Sequence, residues 1–188
     1  MTPLLGMMAS GATGSKQSSY ESIATINIAS STGYIEFTSI PSTYKHLQVR
    51  ILGRSTQTGS SAGIISSLCN GDQTNSYSFH LLNGNGATAA SSGSATQDRA
   101  DIGYVPTNGY TSGIFGTLII DYIDYASTTK YKTIRAFSGF DGNGSGTVGL
   151  GSGLWQKTNA ITTLDFSNAN NSFDWAVGTT VSLYGIKG

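Results

Sequence analysis

From Tyr20 onward the chain alternates apolar and polar side chains with a period of two, and turn residues punctuate the alternation. That period puts successive side chains on opposite faces of a β-strand. Lys45 to Ser55 shows it most cleanly: Leu47, Val49 and Ile51 share one parity, while His46, Gln48, Arg50 and Arg54 share the other. One dry face and one wet face is the pattern of an antiparallel sheet open to solvent on one side. Tyr77, Phe79 and Leu81 alternate in the same way with Ser76, Ser78 and His80, and Ala24, Ile26 and Ile28 share a parity within 20–28. Residues 34–40 follow a Ser-Ser-Thr-Gly turn and predict a hairpin with segment 20–28. Phe115 to Tyr125 is nearly continuous in apolar residues, which predicts a strand buried on both faces. Segments 131–140, 147–155, 161–166 and 179–187 bring the expected set to nine or ten strands.

Asn70-Gly71-Asp72, Asn83-Gly84-Asn85-Gly86 and Asp141 to Gly146 separate these runs. Asn, Asp and Gly tolerate the positive φ that tight connections demand. Residues 84–99 form the longest stretch without a strand pattern and read as an exposed loop. Strands at this spacing, with no helices between them, argue against a parallel α/β sheet. They predict an all-β fold: an antiparallel β-sandwich, jelly-roll-like, over 20–188.

Residues 1–19 are different material. An apolar octet with Leu4, Leu5, Met7 and Met8 precedes a Ser/Gly/Ala/Thr stretch without period. A disordered terminus is one reading; four large apolar side chains are unusual in a solvated tail, so the other is an extended N-terminal arm that docks on a partner chain.

Composition narrows the function classes. Ten Lys+Arg balance ten Asp+Glu, so no net charge draws the chain to nucleic acid or to an anionic membrane. Charged residues make up 11%, too few to coat several solvent-facing helices. Together 27 Ser, 23 Thr and 25 Gly supply a hydroxyl-rich wet surface instead. Cys69 is the one cysteine, so no internal disulfide supports the fold, and a small buried apolar role suits a lone thiol. No apolar run is long enough to span a bilayer. The first eight residues lack the basic start and long apolar stretch of a secretory signal, which fits a protein made in the cytosol.

Catalytic constellations are thin. His46 and His80 both fall on wet parities and read as exposed or interface residues rather than general bases. No nucleophile elbow, H-E-x-x-H or C-x-x-C occurs. The Asp141–Gly146 stretch resembles a calcium loop only superficially, because Ser152 stands where the twelfth-position Glu would be needed. Gly149-Leu150-Gly151-Ser152-Gly153 lacks the Lys-Ser/Thr of a phosphate loop. Its alternating glycines instead predict close approach of a backbone or a bulky aromatic such as Trp155 or Trp175. Asp121 and Asp124 are expected to pair with Arg135, Lys130 or Lys132, and Lys130-Tyr131-Lys132 to be a solvated strand end. No catalytic residue, metal ligand or cofactor is expected. A glycan-degrading enzyme would need a carboxylate pair flanking a sugar-sized cleft.

Several segments together resemble a known family. They are Leu4 to Gly11, Tyr20 to Thr25, Phe37-Thr38-Ser39-Ile40-Pro41-Ser42-Thr43-Tyr44-Lys45-His46-Leu47-Gln48-Val49-Arg50, Tyr77 to Gly84, Phe115 to Ala126 and Ser182 to Lys187. The chain is similar to small tailed-bacteriophage virion structural proteins of the cyanophage type, nearly end to end. Leu68-Cys69-Asn70-Gly71 departs from that pattern, where an aromatic is more usual than Cys. The resemblance implies a non-enzymatic β-sandwich subunit assembled in the host cytoplasm into the virion. It also implies a homotrimer in contact with other virion proteins, either of the tail and baseplate or the major capsid protein, without nucleic-acid or membrane partners. On a tail fibre or receptor-binding tip, Tyr104, Tyr110, Trp155 and Trp175 would be candidate aromatics for a host surface glycan, with core or interface packing as the alternative for each. On the head, the chain would be a cement or decoration protein that uses residues 1–19 as a strap.

Overall fold

The computed structural model describes residues 18–168 and 172–188. The arm residues Leu4, Leu5, Met7 and Met8 therefore lie outside the described residues. Twelve strands are present among those described: β1 (Tyr20–Asn27), β2 (Tyr34–Phe37), β3 (His46–Gly53), β4 (Ala62–Cys69), β5 (Tyr77–Gly84), β6 (Ala89–Gln97), β7 (Ala100–Pro106), β8 (Gly116–Ile123), β9 (Lys132–Asp141), β10 (Gly146–Trp155), β11 (Leu164–Asn168) and β12 (Thr180–Ile186). They form two antiparallel sheets, an eight-stranded one in the order β1-β12-β3-β8-β9-β10-β5-β6 and a four-stranded one in the order β2-β11-β4-β7.

Eight of the twelve strands make a jelly roll. β1 pairs with β12, β2 with β11, β3 with β8 and β4 with β7, so the first strand meets the last and the innermost two meet each other. The joins of β12 to β3 and β11 to β4 then close two four-stranded layers into a sandwich. The remaining four strands are two insertions. β5–β6 leaves the roll between β4 and β7, and β9–β10 leaves between β8 and β11. Both extend the larger sheet beyond β8, giving β9-β10-β5-β6 as a continuous wing.

This topology corrects two expectations. Segments 20–28 and 34–40 do not form a hairpin, because the chain crosses from one sheet to the other between them, and each strand pairs with a late one. Residues 89–97 are not a loop but β6, an edge strand against β5. Both of its faces meet solvent, so no hydrophobic period marks it.

The core lies between the layers. Leu47, Val49 and Ile51 of β3, Leu118, Ile120 and Tyr122 of β8, Ile134 of β9 and Val181 and Leu183 of β12 meet Ile35, Phe37, Ile65, Ile102, Val105, Leu164 and Phe166 from the other sheet. Phe115 to Tyr125 is not buried on both faces, since burial alternates along β8 and Ile119 looks outward. Under the wing, β7 approaches so closely that β10 faces it with Gly149, Gly151 and Gly153. The predicted close approach is real, but the aromatic is Tyr104, whose Cδ2 would stand 3.0 Å from a Cβ on Gly149. Neither tryptophan supplies it.

Two cations are buried within this frame. Lys132 is fully buried rather than part of a solvated strand end, and its Nζ donates to the carbonyls of Ser127, Lys130 and Thr158. Burial holds its ammonium below the ordinary lysine range. Arg54, which continues the wet parity of β3 in sequence, is also buried. It donates to Asn108 Oδ1 and to the carbonyls of Tyr110, Thr111 and Ile114, which ties the 108–114 loop to the end of β3. Each cation replaces lost water with oriented carbonyl oxygens.

Candidate functional site

The outer face of the eight-stranded sheet is the most distinctive surface of the described residues. Register places Arg50, Ile119, Phe137, Leu150, Leu82 and Ser91 directly opposite one another across β3, β8, β9, β10, β5 and β6. The next row along the strands on that face holds Leu52, Thr117, Gly139, Val148 and Gly84. Six large apolar side chains, Leu52, Leu82, Ile119, Phe137, Val148 and Leu150, are each between 41% and 53% exposed. Cross-strand neighbours stand about 5 Å apart, so the four central residues form an unbroken apolar row.

Polar groups border this band. The row on its other side holds Tyr184, Gln48, Asp121, Arg135, Ser152 and His80. The Arg50 guanidinium sits over the Tyr184 ring at 5.1 Å and the Tyr20 ring at 5.9 Å. It also donates to Gln48 Oε1 at 2.9 Å, and Gln48 Nε2 donates to Asp121 Oδ1 at 2.9 Å. This chain of contacts fixes a cation against aromatic faces at one end of the band. At the other end the His80 imidazole lies over Gly93 of β6 and faces solvent.

The aromatics expected to meet a glycan are placed otherwise. Trp155 and Trp175 are both core residues, which corrects their reading as surface binders. Trp155 packs beside Tyr77 at a centroid distance of 6.4 Å and donates from Nε1 to Asp72 Oδ2 at 2.7 Å. Trp175 donates to the Phe166 carbonyl at 3.0 Å and bridges Thr32 and Ser55, tying together the connections that follow β1 and β3. Tyr110 is half-buried, with its ring edge-on to Phe140 at 5.1 Å and its hydroxyl donating to the Ser145 carbonyl. Tyr104 packs on Gly149 beneath the wing. The structure does not bring the four together into one sugar-binding platform.

A second surface has chemistry that alternation alone did not single out. On the outer face of the four-stranded sheet, Glu36 of β2 stands opposite Asp165 of β11, in a groove of about 250 Å³ that also includes Tyr34, Gln73 and Arg99. Burial, and then the neighbouring Glu36 charge, push the Asp165 carboxyl up to about 6. The two acids stand side by side on one sheet face, rather than on opposite walls of a sugar-sized cleft.

The remaining candidate acids are tied to structure. Asp124 follows β8 with a positive φ and pairs with Lys130 at 2.8 Å and Lys45 at 2.7 Å, and these lysines hold its carboxyl well below the usual range. Its backbone N–H donates to His46 Nδ1 at 3.0 Å. Cys69 is fully buried, and burial pushes its thiol up, away from reactivity. No group of three or more His, Cys, Asp or Glu that could hold a metal occurs among the described residues. No family model matches the chain, and neither does any curated protein or any solved structure.

Proposed function

We propose that this chain is a non-enzymatic structural subunit of a bacteriophage virion, working through packing against copies of itself and against other virion proteins. One observation carries the reading: a jelly roll whose larger sheet is extended by a four-stranded wing and whose outer face bears a band of large apolar side chains. A patch of this kind, rimmed by polar residues, marks an interaction surface. The architecture is one used by viral shell and lectin domains, which agrees with the resemblance by analogy of fold. The hydroxyl-rich, sparsely charged surface suits close packing in a symmetric assembly.

Between tail and head, the burial of both tryptophans removes two of the four aromatics offered for a glycan-binding tail tip. A cement role on the head, with residues 1–19 as strap, keeps its motivation in Leu4, Leu5, Met7 and Met8. Gold-labelled antibody against the sandwich, applied to purified particles of the phage that encodes the chain, tests the reading. Label at a fixed position on head or tail is the expected result and decides between the two. Particles that contain none of the chain would overturn the proposal.

A further inference from the structure

We infer that the apolar band running from β3 and β8 onto the wing is the contact surface for a second copy of this chain, packed band against band in a two-fold contact rather than the three-fold one that the resemblance implies; this rests on the reading of the chain as an assembly subunit. The wing is additional to the jelly roll, and its inner face is already used, with β7 lying against β9, β10 and β5. Its outer face repeats large aliphatic and aromatic residues where solvent would favour the Ser and Thr that this chain has in abundance.

Area supports the choice of occupant. Six half-exposed large side chains present on the order of 500 Å², at the upper end of the largest apolar patch of an ordinary monomer. A standard interface takes about 800 Å² from each partner, so the band supplies more than half. The adjoining face of β6, with Ser91 and Gly93, and the polar row from Gln48 to His80 lie next to it to supply the rest.

Charge and edge chemistry point the same way. The chain has no net charge, so nothing repels one copy from another at long range. The polar row holds Asp121 beside Arg135, both signs within one border, which a second copy can meet with the opposite order. β6, Ala89-Ala90-Ser91-Ser92-Gly93-Ser94-Ala95-Thr96-Gln97, bounds the band and contains no charge and no proline. Its free edge thus lacks two of the usual guards against pairing with another chain, charge and proline, along the stretch before the bulge at Ala95–Thr96. A flat aliphatic face without convergent donors or acceptors is poorly suited to a sugar or a small polar ligand.

The test uses the full chain. Its mass in solution is measured by sedimentation alongside that of Phe137→Glu, with folding checked by circular dichroism and thermal unfolding. The expected result is an oligomeric parent and a folded, monomeric F137E, with self-association weakened by about thirtyfold or more, as for loss of a central interface residue. A second variant, Leu150→Cys, gives an independent reading, because the native thiol at Cys69 is buried and silent. The introduced thiol should be protected from maleimide in the oligomer and regain free reactivity on dilution. If F137E does not fold, the protection of this thiol decides alone. A monomeric parent, or an oligomer in which L150C reacts at the free rate, overturns the inference. So does an oligomer that only removal of residues 1–17 dissociates, since that assigns the contact to the N-terminal segment. Each of these failures leaves the virion reading to its own labelling experiment.

Discussion

The carbonyl oxygen of Ile102 on β7 occupies the space where a Cβ on Gly151 of β10 would stand. At this point the wing lies on the four-stranded sheet backbone to backbone, with no room for a side chain between. Gly153 instead faces the Ala100 methyl, 3.0 Å from where a Cβ on the glycine would stand. Gly151→Ala is expected to destabilise the protein by about 1–3 kcal/mol, since a rigid carbonyl rather than a flexible side chain must give way. Gly149→Ala, which meets the Tyr104 ring instead, should cost less. Urea unfolding of both variants checks the order.

Lys132 is a comparable case in which a charge, not a gap, is structural. Its ammonium is the shared donor for three carbonyls that converge from 127, 130 and 158. Lys132→Met keeps most of the volume but leaves these oxygens buried without that donor. A loss of about 2–4 kcal/mol is expected, with little rescue in Lys132→Arg, whose planar fork does not match a three-sided cage. Thermal unfolding at neutral pH measures it.

Phe137 and Ser138 show why the fold was more legible in the sequence than the site. Neighbours on β9, they invert the usual preference, the phenylalanine facing solvent and the serine buried. The cause is distant in sequence: Ser138 lies under Gly103 of β7, where a Cβ on the glycine would come within 2.7 Å of the Ser138 hydroxyl. Only a small residue fits there, and period-two reasoning cannot see it. Alternation located β3, β5 and β12 because one face of each packs on the core. It missed β4, with Ser66 and Ser67 buried side by side, β7, where Gly103 and Pro106 are buried beside Ile102 and Val105, and β6, where neither face is covered. It also placed Ile119 in a strand buried on both sides, because an outward apolar residue in an apolar run looks like core. Pairing of β1 with β12, which rules out the early hairpin, is a property of the whole roll.

The tryptophans give an optical check on the corrected site. Both indoles are buried and each donates to a fixed acceptor, Trp155 to Asp72 and Trp175 to the Phe166 carbonyl. Emission should lie at short wavelength, resist iodide, and stay unchanged on titration with host-surface glycans. Asp72→Ala leaves the Trp155 N–H without that acceptor and should cost about 1–3 kcal/mol. Red-shifted emission in the parent protein would contradict the placement of both residues.

Asp165 sets a pH dependence of definite sign. Its carboxyl titrates at about 6 in the folded chain, raised from an ordinary 3.8 by burial and by Glu36 across the strand pair. The folded state thus binds this proton more tightly than the unfolded one. Below the ordinary value both states are protonated and the group costs nothing. As pH rises toward and through 6 the folded chain must hold a partly buried carboxylate beside another, and stability falls. Asp165→Asn removes the charge and should gain on the order of 1 kcal/mol above neutral pH, after allowing for solvent screening of a half-exposed group. The gain should vanish in acid, below the ordinary carboxylate range, where the native carboxyl is already neutral. Denaturant midpoints of parent and variant, measured across that range, check the prediction. A constant difference at all pH values would mean that the amide acts through packing and that the Glu36–Asp165 pair does not carry the titration.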